Sequence, residues 1–188
     1  VVTVRKRVRS AKRVASRPTA KEIYARAKRI ALVVTDVDGV LTDAGVYYSE
    51  RGEELKRFSV RDGMGVERLR DVGIATAILT RETSGPVAAR AQKLQLSRVY
   101  SGVHDKLAHL EVILQDTGLN ASQLAYIGDD VNDLGILEAI GKNGLTSAPA
   151  DAIPAVKNTA IHRCEAKGGH GAFREFAEWI LKARGEGT

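Results

Sequence analysis

The chain holds one cysteine, Cys164, so no disulfide can form within it. No apolar run reaches the roughly 18 residues that a membrane-spanning helix needs. The N-terminus is basic but lacks the apolar stretch of a secretory signal. Histidine is scarce, with four residues, and no Cys/His spacing suggests zinc. These absences exclude a disulfide scaffold, a helical membrane protein and a small zinc module. A reducing cytoplasm is the expected compartment.

What is present is ordinary for a soluble globular fold: 44% hydrophobic and 28% charged residues. A length of 188 residues suits one domain with a single sizeable core. The net charge of +6 is unevenly placed. Residues 1 to 17 hold Arg5, Lys6, Arg7, Arg9, Lys12, Arg13 and Arg17 and no acid, which leaves −1 for the rest. The basic balance therefore belongs to a tail. We read residues 1–18 as a basic, solvated or partly helical tail, 19–184 as the domain and 185–188 as a short C-terminal tail. A nucleic-acid or membrane-surface contact and a cleaved, Arg-rich targeting peptide are the other uses such a tail could have. Neither a membrane nor a nucleic-acid partner is expected for the domain.

Strand-like and helical runs alternate along the chain. Thr19 is placed to cap a helix through about Lys28, and "IALVVTD" reads as a buried strand. "VYYS" and "LKRFSV" flank "ERGEE" as a β-hairpin with Gly52 in its turn. A helix is expected from about Asp62 to Asp71, then a strand at "IATAILT" and an amphipathic helix carrying Val87, Ala88, Ala91 and Leu94. "RVYS", a helix marked by Leu107, Leu110 and Leu114, the strand "LAYIGDD" and a helix through Ile140 follow. "GLTSA" and "TAIHR" are weaker strands, and Phe173, Phe176, Ala177, Ile180 and Leu181 place a last helix on the core. Such alternation argues an α/β fold: a parallel sheet with helices on both faces. Ligands of these sheets bind beyond the carboxyl ends of the strands. Asp36, Asp38, Thr80, Lys106 and "GDDVND" at 128–133 all fall there.

Carboxylates gathered in this way cannot all stay ionised without a cation. Oxygen donors favour a hard ion such as Mg²⁺, assisted here by Lys106. Mg²⁺ sites commonly complete their coordination with water and phosphate oxygens, and a carboxylate can itself attack phosphorus. A carboxylate and a phosphate dianion ~4 Å apart repel by ~8 kcal/mol at an effective dielectric of ~20, so bridging positive charge is required. A second acid two residues on, Asp38, stands where it can protonate the leaving oxygen and then activate water. Gly39 lets the chain turn away at the strand end.

"DVDGVLTD", Thr80, Lys106 and "GDDVNDL" together resemble the four motifs of the haloacid dehalogenase (HAD)-type phosphatases, over about residues 25–184. "GEELKRFSVRDGMG" and "KGGHGAFREF" resemble a narrower group. That group is the 3-deoxy-D-manno-octulosonate 8-phosphate (KDO 8-phosphate) phosphatases and their nonulosonate 9-phosphate relatives. The resemblance implies a Rossmann-like core and an aspartyl-phosphate mechanism, with Asp36 as nucleophile and Asp38 as general acid/base. It also implies that Thr80 binds the transferring phosphoryl group and that Lys106 neutralises charge. The same resemblance implies that Mg²⁺ is held by Asp36, Asp129 and the Asp38 carbonyl, with Asp130 and Asp133 supporting these ligands. Arg61 and Gly39 are expected near the substrate.

No gap between motifs can hold a cap domain: a hairpin fills one, and a helix with one strand fills the other. The site is thus open in one subunit, and a neighbouring subunit is the expected cover. The resembling group is tetrameric, with the Gly-rich C-terminal segment reaching a neighbour's site. Here that segment offers Lys167, His170 and Arg174 to an anionic sugar acid, and Gly168, Gly169 and Gly171 permit close backbone approach. "TRE" replaces the group's usual TGR, and His170 stands where GGRG has arginine; both lean toward the nonulosonate branch. Two other classes compete: a phosphoacceptor receiver, disfavoured because "AILT" ends in Thr80 and not Asp, and a non-catalytic regulatory module, disfavoured by the complete acid and lysine set.

Overall fold

The computed structural model describes residues 17–187, so the basic segment up to residue 16 lies outside the described residues. Helix α1 (Ala20–Ala27) opens with a capping box: the Thr19 hydroxyl accepts from the Glu22 N–H, and the Glu22 carboxylate accepts from the Thr19 N–H. Strand β1 (Leu32–Thr35) is buried at every position. A two-stranded antiparallel hairpin follows, β2 (Thr42–Ser49) and β3 (Gly52–Phe58), with Tyr47 opposite Leu55. Then come α2 (Val60–Asp71), β4 (Ala75–Leu79), α3 (Gly85–Lys93), β5 (Arg98–Tyr100), α4 (Lys106–Thr117) and β6 (Leu124–Ile127). The chain ends with α5 (Leu134–Gly141), β7 (Leu145–Ala148), α6 (Pro154–Thr159), β8 (His162–Arg163) and α7 (Ala172–Arg184).

The main sheet has the order β5-β4-β1-β6-β7-β8, and all its pairings are parallel. Successive residues of a strand face opposite sides, so β1 feeds two cores. Val33 packs with Val66 and Leu69 of α2, Val87 of α3 and Phe173, Phe176 and Ile180 of α7. Leu32 and Val34 pack with Ile113 of α4, Ile136, Leu137 and Ile140 of α5 and Val156 of α6. This is the expected α/β architecture with helices on both faces. Among the described residues, no cap domain interrupts it: the segment between β1 and α2 is the hairpin, and that between β4 and α4 is α3 and β5. Nor is any described helix long and apolar enough to cross a membrane.

Three local differences from the sequence reading have physical causes. Helix α2 begins at Val60 because Ser59 caps it, accepting from the Arg61 N–H at 3.1 Å. Asp62 is thereby freed and buried. It accepts from the Gly171 and Arg174 N–H groups at 3.2 and 3.0 Å, and so caps α7, whose own N-cap Gly171 has no side chain to do so. Helix α6 escaped the periodicity argument because six residues hold too little of a 3.6-residue repeat.

Candidate active site

Chain order leaves β1 in both directions: β4 lies on one side of it and β6 on the other. The carboxyl ends of β1 and β6 therefore flank a crevice, the place where open α/β sheets bind ligands. Asp36 directly follows β1, and its N–H donates to the Ile127 carbonyl at 3.0 Å, extending the ladder by one residue. An open cleft of about 280 Å³ is lined here by Asp36, Asp38, Thr80, Asp129 and Asp130, together with Ala44, Arg81, Glu82, Val131 and Asn132.

Lys106 is the first residue of α4 and is 1% exposed. Its ammonium sits 2.7 Å from Asp36 Oδ2 and 2.7 Å from Asp133 Oδ1. Asp133 is fully engaged, with Oδ1 also accepting from the Tyr126 hydroxyl at 2.6 Å and Oδ2 from the Asp129 and Asp130 N–H groups at 2.8 and 3.2 Å. It therefore orients its neighbours and has no oxygen to spare. Asp130 caps the short turn 131–133 through the Val131 N–H. Thr80 is 1% exposed, with its hydroxyl accepting from the Glu82 N–H at 3.3 Å.

The charges are costly in this place. Burial pushes the Asp36 carboxyl up to about 7, and the Asp133 charge adds to that against the pull of Lys106. Burial also pushes Asp129 up to about 8, with Asp36, Asp133 and Asp130 contributing. For Lys106, burial acts downward, but Asp36 and Asp133 outweigh it and its pKa is raised. Among the side chains that line the cleft, Asp129 Oδ1 is buried with no hydrogen-bond partner. Oxygens of Asp36, Asp129 and Asp133 lie within 4.8 Å of one another. An all-oxygen donor set with an orphaned carboxylate oxygen and an excess of negative charge fits a hard divalent cation.

Gly39 does not line the cleft; it lies beneath it at φ +86°. A Cβ there would fall 2.0 Å from Asp129 Oδ2, so only glycine lets the carboxylate rest on this turn. From the other side, Gly168 and Gly169 seat on the same turn. A Cβ on Gly168 would fall 2.0 Å from the Gly39 carbonyl, and the Gly169 N–H donates to the Val40 carbonyl at 2.9 Å. Within one subunit the Gly-rich segment thus approaches backbone, where the sequence reading had it approaching ligand.

Asp36, Asp38, Thr80 and Asp129 meet at the cleft, with Lys106 beneath Asp36. Arg61, Lys167, His170 and Arg174 do not line it. Arg61 and Lys167 are exposed, His170 Nε2 lies 2.9 Å from an Arg57 guanidinium nitrogen, and the Arg174 guanidinium is bound to Glu178 at 2.8 Å. Sequence reasoning missed Lys56, whose ammonium contacts both Asp38 oxygens at 2.7 and 2.8 Å. Burial acts on Lys56 downward, but Asp38 and Glu53 outweigh it and its pKa is raised. Tyr126 was missed as well, while Arg81 and Glu82 were noted within "TRE" but not placed at the cleft. The signal for Lys56 was its place on a strand beside the motif; for Tyr126 it was a hydroxyl in an apolar strand, which needs a buried partner.

The single cysteine belongs to the fold. Its thiol lies between Ser147 Oγ at 3.2 Å and the Ala172 carbonyl at 3.4 Å, and burial pushes it up to about 12. His162 and Glu175 lie beside it, with the Glu175 carboxylate held by the Glu165 and Ala166 N–H groups.

The KDO 8-phosphate phosphatase KdsC of Haemophilus influenzae is 39% identical over 161 residues, 86% of this chain and 88% of that protein. The chain belongs to the KDO 8-phosphate phosphatase family. It is thus a phosphomonoester hydrolase of the HAD superfamily, with the capless architecture described above. Among solved structures, the Moraxella catarrhalis KDO 8-phosphate phosphatase, in complex with a magnesium ion, a phosphate ion and KDO, superposes with a TM-score of 0.81. It is 37% identical and covers 88% of this chain and 93% of its own. The cobalt-bound form of the Haemophilus influenzae family member gives a TM-score of 0.80 at 39% identity, over 85% of this chain and 92% of its own. No protein-family model matches the chain.

Proposed function

We propose that residues 19–184 form a Mg²⁺-dependent phosphatase that hydrolyses the phosphomonoester of a 3-deoxy-2-keto sugar acid through an aspartyl-phosphate. KDO 8-phosphate is the first substrate to test, because it is the one named for the relatives. The observation that carries the reading is the Asp36–Lys106 pair at 2.7 Å, facing a cleft that also presents Asp38, Thr80 and Asp129. Asp36, Asp129 and the Asp38 carbonyl would hold Mg²⁺, which when bound offsets the negative charge of substrate and carboxylates. Asp36 attacks phosphorus, while the Asp38 carboxyl gives its proton to the departing sugar oxygen. Thr80 and Lys106 hold the phosphoryl group and Asp36 in line. Asp38 then takes a proton from the water that cleaves the aspartyl-phosphate, and both carboxyls return to their starting forms.

A second substrate is favoured by one observation: Arg81 and Glu82, the departure from the group's TGR, line the cleft. A side chain as long and acidic as Glu82 suits a nonulosonate 9-phosphate, whose extra carbon and substituents bring further hydroxyl or amide donors. Arg61, Gly39, Lys167, His170 and Arg174 remain candidates for substrate binding. For Arg61 and the last three this requires a second subunit, because none of them lines the cleft of its own, and Gly39 would serve only as the seat of Asp129. We infer a cytoplasmic homotetramer. Val46, Tyr47, Tyr48 and Leu55 support assembly, as apolar side chains 37%, 64%, 72% and 63% exposed on the hairpin.

The test is phosphate release from KDO 8-phosphate, N-acetylneuraminate 9-phosphate, the deaminated nonulosonate 9-phosphate and simple sugar phosphates, with and without Mg²⁺. A Mg²⁺-dependent preference for one keto-acid phosphate is expected. Equal rates on all members, or rates indifferent to Mg²⁺, would contradict the reading.

A further inference from the structure

Strand β3 is exposed or half-buried at every position but one: the Lys56 side chain is 1% exposed. Burying an ammonium is costly unless charged partners surround it. Its partners are specific. Asp38 Oδ1 and Oδ2 both accept from Nζ, at 2.7 and 2.8 Å, and Glu53 Oε2 lies 3.4 Å away. The other Glu53 oxygen accepts from the Ser84 hydroxyl, and Ser84 caps α3 just beyond the Thr80–Glu82 loop. The hairpin thus places a chain of groups, Asp38–Lys56–Glu53–Ser84, between the loop after β1 and the loop after β4. These two loops carry the groups that must meet across one phosphoester.

Asp38 has little else to hold it. Its residue is only half-buried, and its other side-chain contact is the Thr42 hydroxyl at 3.4 Å. A carboxyl on a turn can adopt several rotamers, and a proton donor is effective only in the one that faces the leaving oxygen. A buried, fixed ammonium removes that freedom: it holds both oxygens of the ionised form, and it keeps the unprotonated oxygen when the other carries the proton.

We propose that Lys56, itself steadied by Glu53 and Ser84, is a positioning residue that sets the Asp38 carboxyl toward the leaving-group oxygen. The proposal rests on the reading of Asp38 as the proton donor. It assigns the hairpin a part in the chemistry of its own subunit, apart from any part in assembly. Lys56 itself transfers no proton and acts only through the Asp38 carboxyl.

The test compares kcat/KM for two Mg²⁺-loaded reactions: hydrolysis of the best alkyl sugar-acid phosphate and hydrolysis of 4-nitrophenyl phosphate. The first leaving group must be protonated as it departs, whereas nitrophenolate leaves as an anion. Lys56→Met is expected to lower kcat/KM for the alkyl ester by about 10- to 100-fold. The aryl ester should change by less than about threefold, since the proton donor contributes little to its departure. Asp38→Asn should show the same selective loss, and the double variant should be no worse than Asp38→Asn alone. An equal fall on both esters in Lys56→Met, beside a selective loss in Asp38→Asn, would overturn the proposal and leave the donor reading intact. An equal fall on both esters in Asp38→Asn would overturn the donor reading, and the proposal with it. If Lys56→Met does not fold, Glu53→Gln is read in its place, with a smaller selective loss expected and an unselective one again overturning the proposal.

Discussion

Five acids and two lysines set the character of the site. Asp36 and Asp129 have pKa values raised to about 7 and about 8, because the folded chain buries them beside other carboxylates. An unfolded aspartate titrates near 3.9. Between these limits the folded, metal-free protein therefore binds protons that the unfolded chain has released. Stability from these two groups is fully present below about pH 4 and is lost as pH rises through 7 to 8. The metal-free Tm should accordingly fall between pH 6 and 8.5, and Mg²⁺ should remove most of that fall by favouring the ionised forms. Thermal unfolding across this range with and without Mg²⁺ checks it; a flat metal-free profile would contradict the charge assignment.

The strand-end acids, Thr80 and Lys106 were legible as a convergent set because each follows a recognisable strand or opens a helix. Tyr126 and Asp62 were not, since their roles come from partners 7 and more than 100 residues away in sequence. Lys56 was passed over for the same reason, since Asp38 meets it only once the hairpin folds back.

Elements differ in how far local pattern determined them. The apolar stripe of α7 sufficed to place it on the core: Phe173, Phe176, Ala177, Ile180 and Leu181 are all buried. What the pattern could not show is how α7 begins. Its first turn has no side-chain cap of its own, and the buried Asp62 of α2 supplies one across the α2–α7 contact. Asp62→Ala should cost about 1–3 kcal/mol, because it strands buried N–H groups at the start of α7. Urea unfolding measures the loss, and amide exchange should quicken first at residues 171–174. Unchanged stability and exchange would mean that water or another group caps α7 equally well. The hairpin was anticipated, but its turn falls at Glu50 and Arg51, Gly52 opens β3 by pairing with Ser49 where the reading had it in the turn, and β2 begins at Thr42, ahead of the anticipated "VYYS".

At the scale of the molecule, the parallel sheet and its two-faced core followed from alternation alone, whereas the strand order and the surroundings of the cleft did not. One subunit leaves the cleft open, and it leaves Tyr47, Tyr48 and Leu55 exposed on the hairpin. We read these exposed apolar side chains as the contact surface of the proposed tetramer. Tyr47→Ser with Tyr48→Ser should lower the assembly mass seen by light scattering and raise KM for the sugar-acid phosphate. A wild-type monomer with full activity would remove the neighbour from the account.

The account turns on Asp36 attacking phosphorus, and that bond can be sought directly. Asp38→Asn, which slows hydrolysis of the intermediate, would be mixed with Mg²⁺ and 4-nitrophenyl phosphate, whose leaving group needs no proton, then quenched in acid and mapped by peptide mass spectrometry. The account predicts one phosphoryl group on the peptide containing Asp36, absent in Asp36→Asn, whose turnover should fall on the order of 10⁴- to 10⁶-fold. Turnover by Asp36→Asn near the wild-type rate, or a phosphoryl group on any other residue, would contradict it.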